Sequence, residues 1–531
     1  MKKLVAIIVV ALVVFVGVGP KFMGGVAHDR FDKGLDKLVE KVPYIKVVDR
    51  KWTSGWFKSD STVTFEFVPP GASNKPVSAL ADARPAPQLI PLADAADDAA
   101  AEDDGEYAAD GSDEEPVDEP TAQEIPKFPT VPQMKFSVHN SVLHGPVLFG
   151  AGLGLARVDT QFVISDEIRK KLIEVLGTDE PVRIRTRMGF FGGGTTTLSG
   201  DARTIPLAKL GVPKADGSIA WDDFKLSIGM AREGKSYDVS GRQPRIEFKS
   251  DDGTEHALFS NLTLDGKGSR VAEDLYDGKV AMGIGKVSVT SSKSPAVDVS
   301  NIRYDVDSIS KGDYFDYAVR MGSGEVKTAA LDALKFQLKE VHYDMTLRHL
   351  HSPTLQKLTK SMRESYSTLS ASNPAEAQLA MLGPLAEHGK ELLKHDPEFV
   401  IDRIGIVTAQ GEAAFKGVIK LPGVTDADLK AGPMALLPKL VADITFEAPQ
   451  ELFENVPNGN MVMGMGIDQG YVKRDGKKIV SHIEFKNGKL SINGKMPALP
   501  PMFQGAAPAA AAPEGADEAP APEAEAPAPA G

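Results

Sequence analysis

From Val182 to about Leu350 the chain repeats one pattern: short segments rich in Thr, Val, Phe and Ser, divided by turn signals at Gly192-Gly193-Gly194, Asp216-Gly217, Asp252-Gly253 and Asp265-Gly266. No helical stretch separates these segments. Parallel neighbours need a crossover of a dozen or more residues, whereas antiparallel neighbours need only a turn, so the pattern predicts an antiparallel meander. The segments alternate with period two, which puts their apolar residues on one face. That face must be covered by the chain's own helices, by another chain or by lipid.

The remaining ordered sequence extends the same reading. Val47 to Val68 reads as paired strands, with Val63, Phe65 and Phe67 alternating against Thr62, Thr64 and Glu66, and with Gly55 at a turn between Trp52 and Trp56. Strand pattern resumes at Met134 through Phe136 and Val138, and a helix is predicted over Ile168–Leu176. Ser352 to about Leu393 reads as helical, with Ser352-Pro353 and Asn373-Pro374 resembling an N-cap followed by proline at the first helical position. Further strands are expected over Phe399–Ile406, Ala413–Leu421 and Leu440–Phe446. Asn487-Gly488, between Lys477–Phe485 and Lys489–Ile492, is the strongest short-range hairpin signal, and Asn493-Gly494 marks a second turn. The expected fold class is therefore mainly β with some α (α+β): an elongated antiparallel meander sheet with a helical segment, preceded by one N-terminal transmembrane helix.

The 531 residues divide by composition. Residues 1–24 form the anchor or signal peptide, 25–68 an amphipathic helix and first strands, and 69–133 an acidic, Pro- and Ala-rich insertion. Then come a β-rich body at 134–351, a helical segment at 352–396, a β-rich part with the closing hairpin at 397–503, and an Ala/Pro/Glu tail at 504–531. Insertion and tail are too poor in apolar residues to offset their ordering entropy and are expected to be disordered. They also explain the formal charge of −13, because residues 94–124 carry fourteen Asp or Glu without Lys or Arg and the tail carries five more. Setting these nineteen aside leaves the remainder at +6, without the clustered basic footprint that nucleic acid binding requires. The absence of cysteine removes disulfides, thiolate chemistry and Cys-ligated zinc or iron–sulfur sites.

Met1-Lys2-Lys3 precedes an uninterrupted apolar run from Leu4 to Gly19. Positive charge on the leading side predicts that this end stays in the cytoplasm and that the body is translocated. Sixteen residues suit a cleavable signal, with Gly25-Val26-Ala27 as the cleavage site. Phe22 and Met23 extend the apolar stretch, however, and Phe31, Leu35, Leu38, Val39 and Val42 continue it at helical spacing. An uncleaved anchor in the bacterial inner membrane, with the body in the periplasm, is the reading adopted.

The arrangement resembles the YdgA-like family of bacterial envelope proteins, a domain of unknown function. The resemblance is carried by Trp52, Gly55, Phe57 and Ser59; by Leu143-His144-Gly145-Pro146; by the run Val182 to Phe190; by Leu393 to Pro397; and by the closing run from Phe485 through Asn487, Gly488, Asn493 and Gly494. These motifs follow one another across nearly all the ordered chain. The resemblance implies a membrane-anchored periplasmic location and self-association, and it carries over no catalytic residue and no cofactor.

Candidate chemistry is sparse. His349 and His351 flank Leu350, so on a regular strand both imidazoles face one side, where with His342 near they could ligate zinc or copper. A pair without a carboxylate or thiol companion is more often a polar strand end. Met461, Met463 and Met465 form a thioether run suited to Cu(I), yet methionine at such spacing more often packs a core or interface. His144-Gly145-Pro146 lacks a companion such as G-x-S-x-G and reads as a turn with a hydrogen-bonded histidine. Gly192–Gly194 is not followed by Lys-Ser/Thr, which excludes a phosphate loop. The expected function is non-enzymatic: a membrane-anchored envelope protein whose sheet face binds lipid or scaffolds a protein partner. The alternatives are a homo-oligomeric adaptor and an envelope hydrolase. A lipid-binding face would be continuously apolar along the sheet, a dimer would show one flat patch, and a hydrolase would gather polar side chains in a pocket.

Overall fold

The computed structural model describes residues 19–42, 45–67, 134–148, 152–210, 216–334, 336–368, 374–454, 456 and 458–496. The insertion and tail lie outside these residues, as does the apolar run Leu4–Gly19 up to its last residue. Among the described residues no helix is long and apolar enough to cross a membrane.

Helix α1 spans Gly19–Lys41. Pro20 sits in its first turn, where the missing N–H costs nothing, and the helix stops ahead of Pro43. The strands that follow are β1 (Ile45–Ser54), β2 (Lys58–Phe67), β3 (Met134–His144), β4 (Val147–Leu148), β5 (Gly152–Leu153) and β6 (Ala156–Val163). Helix α2 (Asp166–Leu176) has Ser165 as its N-cap and Gly177 in the left-handed region as its C-cap. Next come β7 (Arg183–Met188), β8 (Gly194–Gly200), β9 (Arg203–Pro206), β10 (Ser218–Trp221) and β11 (Phe224–Met230). Four long strands follow, β12 (Ser236–Lys249), β13 (His256–Ala272), β14 (Leu275–Ser291) and β15 (Ser294–Lys311). After β16 (Tyr314–Ser323), β17 (Val326–Thr328) and the short α3 (Ala329–Ala333), β18 (Leu338–His351) leads into α4 (Ser352–Thr368) and α5 (Pro374–Leu393). The chain ends with β19 (Glu398–Thr408), β20 (Gly411–Lys420), α6 (Asp426–Ala431), α7 (Pro433–Leu436), β21 (Val441–Pro449), α8 (Gln450–Glu454), α9 (Gly459–Asp468), β22 (Lys473–Asp475), β23 (Lys478–Lys486) and β24 (Lys489–Ile492).

One 22-stranded sheet contains every strand except the small β4–β5 pair. Its main ladder runs β1-β2-β3-β6-β7-β8-β11-β12-β13-β14-β15-β16-β18-β19-β20-β21-β23-β24, and each of these pairings is antiparallel. At about 4.8 Å per strand the ladder extends roughly 80 Å. The protein is thus mostly β, with a few helices set against one large antiparallel sheet.

Two expectations fail in detail. The segments are longer than the turn signals suggested, because Asp265-Gly266 lies inside β13 with Asp265 opposite Ala281. A Cβ at Gly266 would stand 2.8 Å from Val239 Cγ1 and 3.2 Å from Val280 Cγ2, so glycine there lets two flanking valines close over the strand rather than turning it. In α1 the buried positions include Ala27 and Leu35, with Phe31 half-buried against the sheet, whereas Leu38 is 40% exposed. The helix also runs unbroken through Gly25-Val26-Ala27.

The clusters of buried apolar residues sit toward the ends of the sheet, and Leu275, Phe315 and, from α4, Leu358 are buried between them. Under α1, Ala27 packs with Val142, Leu155, Ala156 and Val158, and Leu35 packs with Val63, Phe65 and Val138. At the other end Ala413, Ala448 and Leu452 of α8 form a third cluster.

Candidate functional site

The ladder register shows what occupies each face between those ends. One row runs from strand to strand through Leu264, Met282, Tyr304, Met321, Tyr343 and Ile404. A second runs through Val280, Val306, Val319, Met345 and Ile401, and by way of Gly417 to Ile444. A third runs through Tyr317, Leu347, Phe399, Ile419, Ala442 and Phe485. Adjacent rows lie two residues apart along each strand, apart from a bulge in β19 between Ile401 and Ile404, so all three share a face. The same face reaches the cluster beneath α1, because the second row continues to Val158 through β12, β11, β8 and β7.

Between its capped ends this apolar strip is open. Met282 is 45% exposed, Tyr343 41%, Leu347 41% and Phe415 41%. The opposite face of β18 shows the reverse, with His342 4%, Asp344 9% and Thr346 8% exposed. A sheet that buries its polar side chains and leaves its aromatic and aliphatic ones half open departs from ordinary burial.

Most of the polar face is closed by its own partners, although one carboxylate oxygen of buried Asp344 accepts no hydrogen bond among the described residues. Arg303 donates to His342 Nδ1 at 3.0 Å, and His342 Nε2 in turn donates to Glu340 at 2.8 Å. Arg320 pairs with Asp307, Thr346 bonds Asp402, and Arg403 reaches Glu412 at 2.6 Å. The Asp307 hydrogen bond raises the Arg320 guanidinium above its usual value, against the desolvation that opposes it.

A crease crosses the long strands above the first row. Asn261 on β13 (φ 52°) and Asn301 on β15 (φ 47°) lie in line on either side of Gly285 on β14. A left-handed residue interrupts the two-residue alternation, and the apolar positions change parity there, from Leu262 and Leu264 to Ala257 and Phe259 on β13 and from Ile302 and Tyr304 to Val299 and Val297 on β15.

The expected site residues separate into a structural group and unconnected positions. His144 is buried at the α1 end, where Nδ1 donates to the Trp56 carbonyl at 3.1 Å and Nε2 accepts the Ser59 hydroxyl at 2.9 Å. Helix α1 presses on this ring, since a Cβ at Gly24 would stand 2.3 Å from His144 Cε1. Gly145 donates to Leu155 O at 2.7 Å, and the Gly145–Pro146 peptide is cis. Trp52 stacks on His28 of α1 at 4.3 Å, and Gly55 occupies the β1–β2 turn. Pro397 directly precedes β19, next to Asp396, whose carboxylate accepts the Gly423 N–H at 2.6 Å. Asn487 and Gly488, both at positive φ, join β23 to β24. Asn493 accepts the His482 N–H at 3.0 Å and donates to the Gly470 and Tyr471 carbonyls, so its turn ties β23 to the loop after α9.

The metal candidates do not converge. A bulge between Leu347 and Leu350, with His349 at φ 61°, breaks the regular strand on which the two imidazoles were expected to share a side. His349 stacks on Tyr314 and His351 on His395, each at 3.7 Å, while His342 is held by Arg303 and Glu340. Met461, Met463 and Met465 fall on α9, where a helix places alternate residues on opposite sides: Met461 and Met465 are exposed and Met463 is buried. Among the described residues no group of three or more His, Asp or Glu could hold a metal ion. Sequence reasoning expected an apolar face but could not say how far it runs. Its signal, the apolar alternation of each strand, is present in the sequence, but its continuity depends on register.

A family model described as "Bacterial protein of unknown function (DUF945)" matches residues 1–499. The chain belongs to that family. It is also similar to Protein YdgA of Escherichia coli (strain K12), 23% identical over 269 residues, which cover 49% of this chain and 51% of that protein. The chain therefore spans about half the length of that relative. No solved structure matches. The YdgA-like resemblance read from the motifs is thus a family membership.

Proposed function

We propose that this member of the family is a non-enzymatic lipid-binding protein of the bacterial envelope. In this reading Leu4–Gly19 anchors it in the inner membrane, the body lies in the periplasm, and the open strip holds acyl chains. The observation that carries the reading is the inversion at β18, with buried His342 and Asp344 against half-exposed Tyr343 and Leu347, repeated along rows that continue across the sheet. The uncleaved anchor is supported by Met23, Val26 and Ala27, which pack into the first core cluster and would be removed by cleavage after Ala27. Lipid is favoured over a second copy of the chain by the shape of a long sheet. Neighbouring strands rotate by roughly 20–25°, so an extended strip twists continuously, and liquid chains follow such a surface where a rigid partner does not.

The test is native mass spectrometry, with lipid extraction, of the full chain purified from bacterial membranes. Stoichiometric lipid on a monomer is the expected result. A lipid-free dimer would overturn it and make the protein a homo-oligomeric scaffold.

A further inference from the structure

At one margin of the strip, α4 lies over the sheet and forms one side of a half-open cavity of about 470 Å³, within the size range of ligand sites. Its walls include Val280, Val306, Tyr317 and Leu347, which also belong to the strip, so the cavity opens into it. Leu355 and Thr359 of α4 form the roof. The roof is fastened at both ends. Its base leaves the sheet at His351, which stacks on His395 where the chain returns after α5 and accepts or donates to Thr354 Oγ1 at 2.8 Å. Its far end is held by Arg363, paired with Asp274 at the β13–β14 turn. From Ser352 to Arg363 the helix rises about 16 Å, enough to cross from β18 to β14.

Several polar groups around the cavity are already engaged; Lys279 and the phenols of Tyr237 and Tyr317 also line it. Ser308 donates to the Tyr276 carbonyl at 2.8 Å, Tyr276 to the Gly234 carbonyl at 3.3 Å, Thr359 to the Leu355 carbonyl at 2.9 Å, and Asp274 receives Arg363. Backbone groups of the wall strands are taken by the ladder. Burial, and then Tyr276, raises the Tyr237 phenol; burial, and then Tyr304, raises that of Tyr317. A peptide entering here would bring backbone donors and acceptors that need partners, and walls rich in leucine, valine and phenylalanine supply few. A hydrocarbon chain needs none.

From these apolar walls, with Leu275, Phe315 and Leu350 beside the residues shared with the strip, we infer that the space beneath α4 is the seat of a single alkyl chain, the place where an acyl chain lying on the strip is taken in under a roof. The inference rests on the lipid reading above and goes further by assigning the chain end to a specific cavity.

The experiment uses the full chain with two probes: a pyrene-labelled fatty acid in solution, and phosphatidylglycerol vesicles carrying the same pyrene acyl group. The two probes distinguish a free fatty acid from a membrane lipid as the source of the chain. Val306→Trp fills the cavity and is expected to weaken binding of whichever probe the unaltered protein takes by at least tenfold. Since the chain has no cysteine, Leu355→Cys supplies the only thiol, and a polarity-sensitive dye on it should shift to the blue when the probe binds. This second readout stands if Val306→Trp fails to fold. Binding of a probe by the unaltered protein with a silent dye and an unaffected Val306→Trp variant would overturn the cavity while leaving the strip as a lipid surface. Binding of neither probe by the unaltered protein would overturn both.

Discussion

Two stretches of one sheet face show how differently the same face is used. Under α1 that face is core, with Val63 and Val142 each 1% and Val158 2% exposed. Several strands further on it carries Met282 at 45% and Tyr343 at 41% exposure. Strand chemistry is alike in both places; what changes is the cover. Stability should therefore be concentrated where the face is closed, and binding along the open strip and at its margin beneath α4.

The largest expected effect is on stability at the covered end. Leu35→Ala should cost about 2–5 kcal/mol in chemical denaturation, whereas Met282→Ala should cost under about 1 kcal/mol, because its side chain is already half in water. Equal losses would break the comparison. His144→Ala should cost about 1–3 kcal/mol, read the same way, since it strips partners from the buried Ser59 hydroxyl and the Trp56 carbonyl. In the open stretch, Met282→Asp should weaken lipid binding about tenfold, or about 1.4 kcal/mol, with little change in melting temperature. A matching collapse of stability would show that the strip is core after all.

A smaller effect concerns the roof. Burial first, and then neighbouring His395, hold the His351 imidazole below its ordinary value of about 6.5, with Lys357 adding to the shift and Asp313 and Glu391 opposing it. A depressed folded-state value favours the neutral ring, so this contribution is complete above pH 6.5 and is lost as the pH falls towards the folded value. Hydrogen exchange over residues 352–393, corrected for intrinsic rates, should quicken between pH 7.5 and 5.5, and His351→Gln should flatten that dependence. An unchanged profile in the variant would remove the stacked histidines as the cause.

The sheet was legible in the sequence because period-two alternation and Gly-rich turns are local signals. Val63, Phe65 and Phe67, or Ala442, Ile444 and Phe446, announce their faces without knowledge of any neighbour. Asp265-Gly266 misled because a turn dipeptide and a close-packing glycine look alike until Val239 and Val280 are seen on either side. The His349–His351 pair was misread because a bulge is set by the partner strand. The Met461–Met465 run gave no period that separates helix from strand. The strip depends on pairings as distant as Met282 with Tyr304 and Tyr343 with Ile404, which only the register supplies.

The central claim is that one face of this sheet meets lipid and the other does not. A photo-crosslinking amino acid at Tyr343 on the strip, compared with one at Arg320 on the opposite face, tests that directly in membranes of a bacterial host. The account predicts phospholipid adducts at position 343 and none at position 320. Equal labelling of both positions, or protein adducts alone at 343, would contradict it.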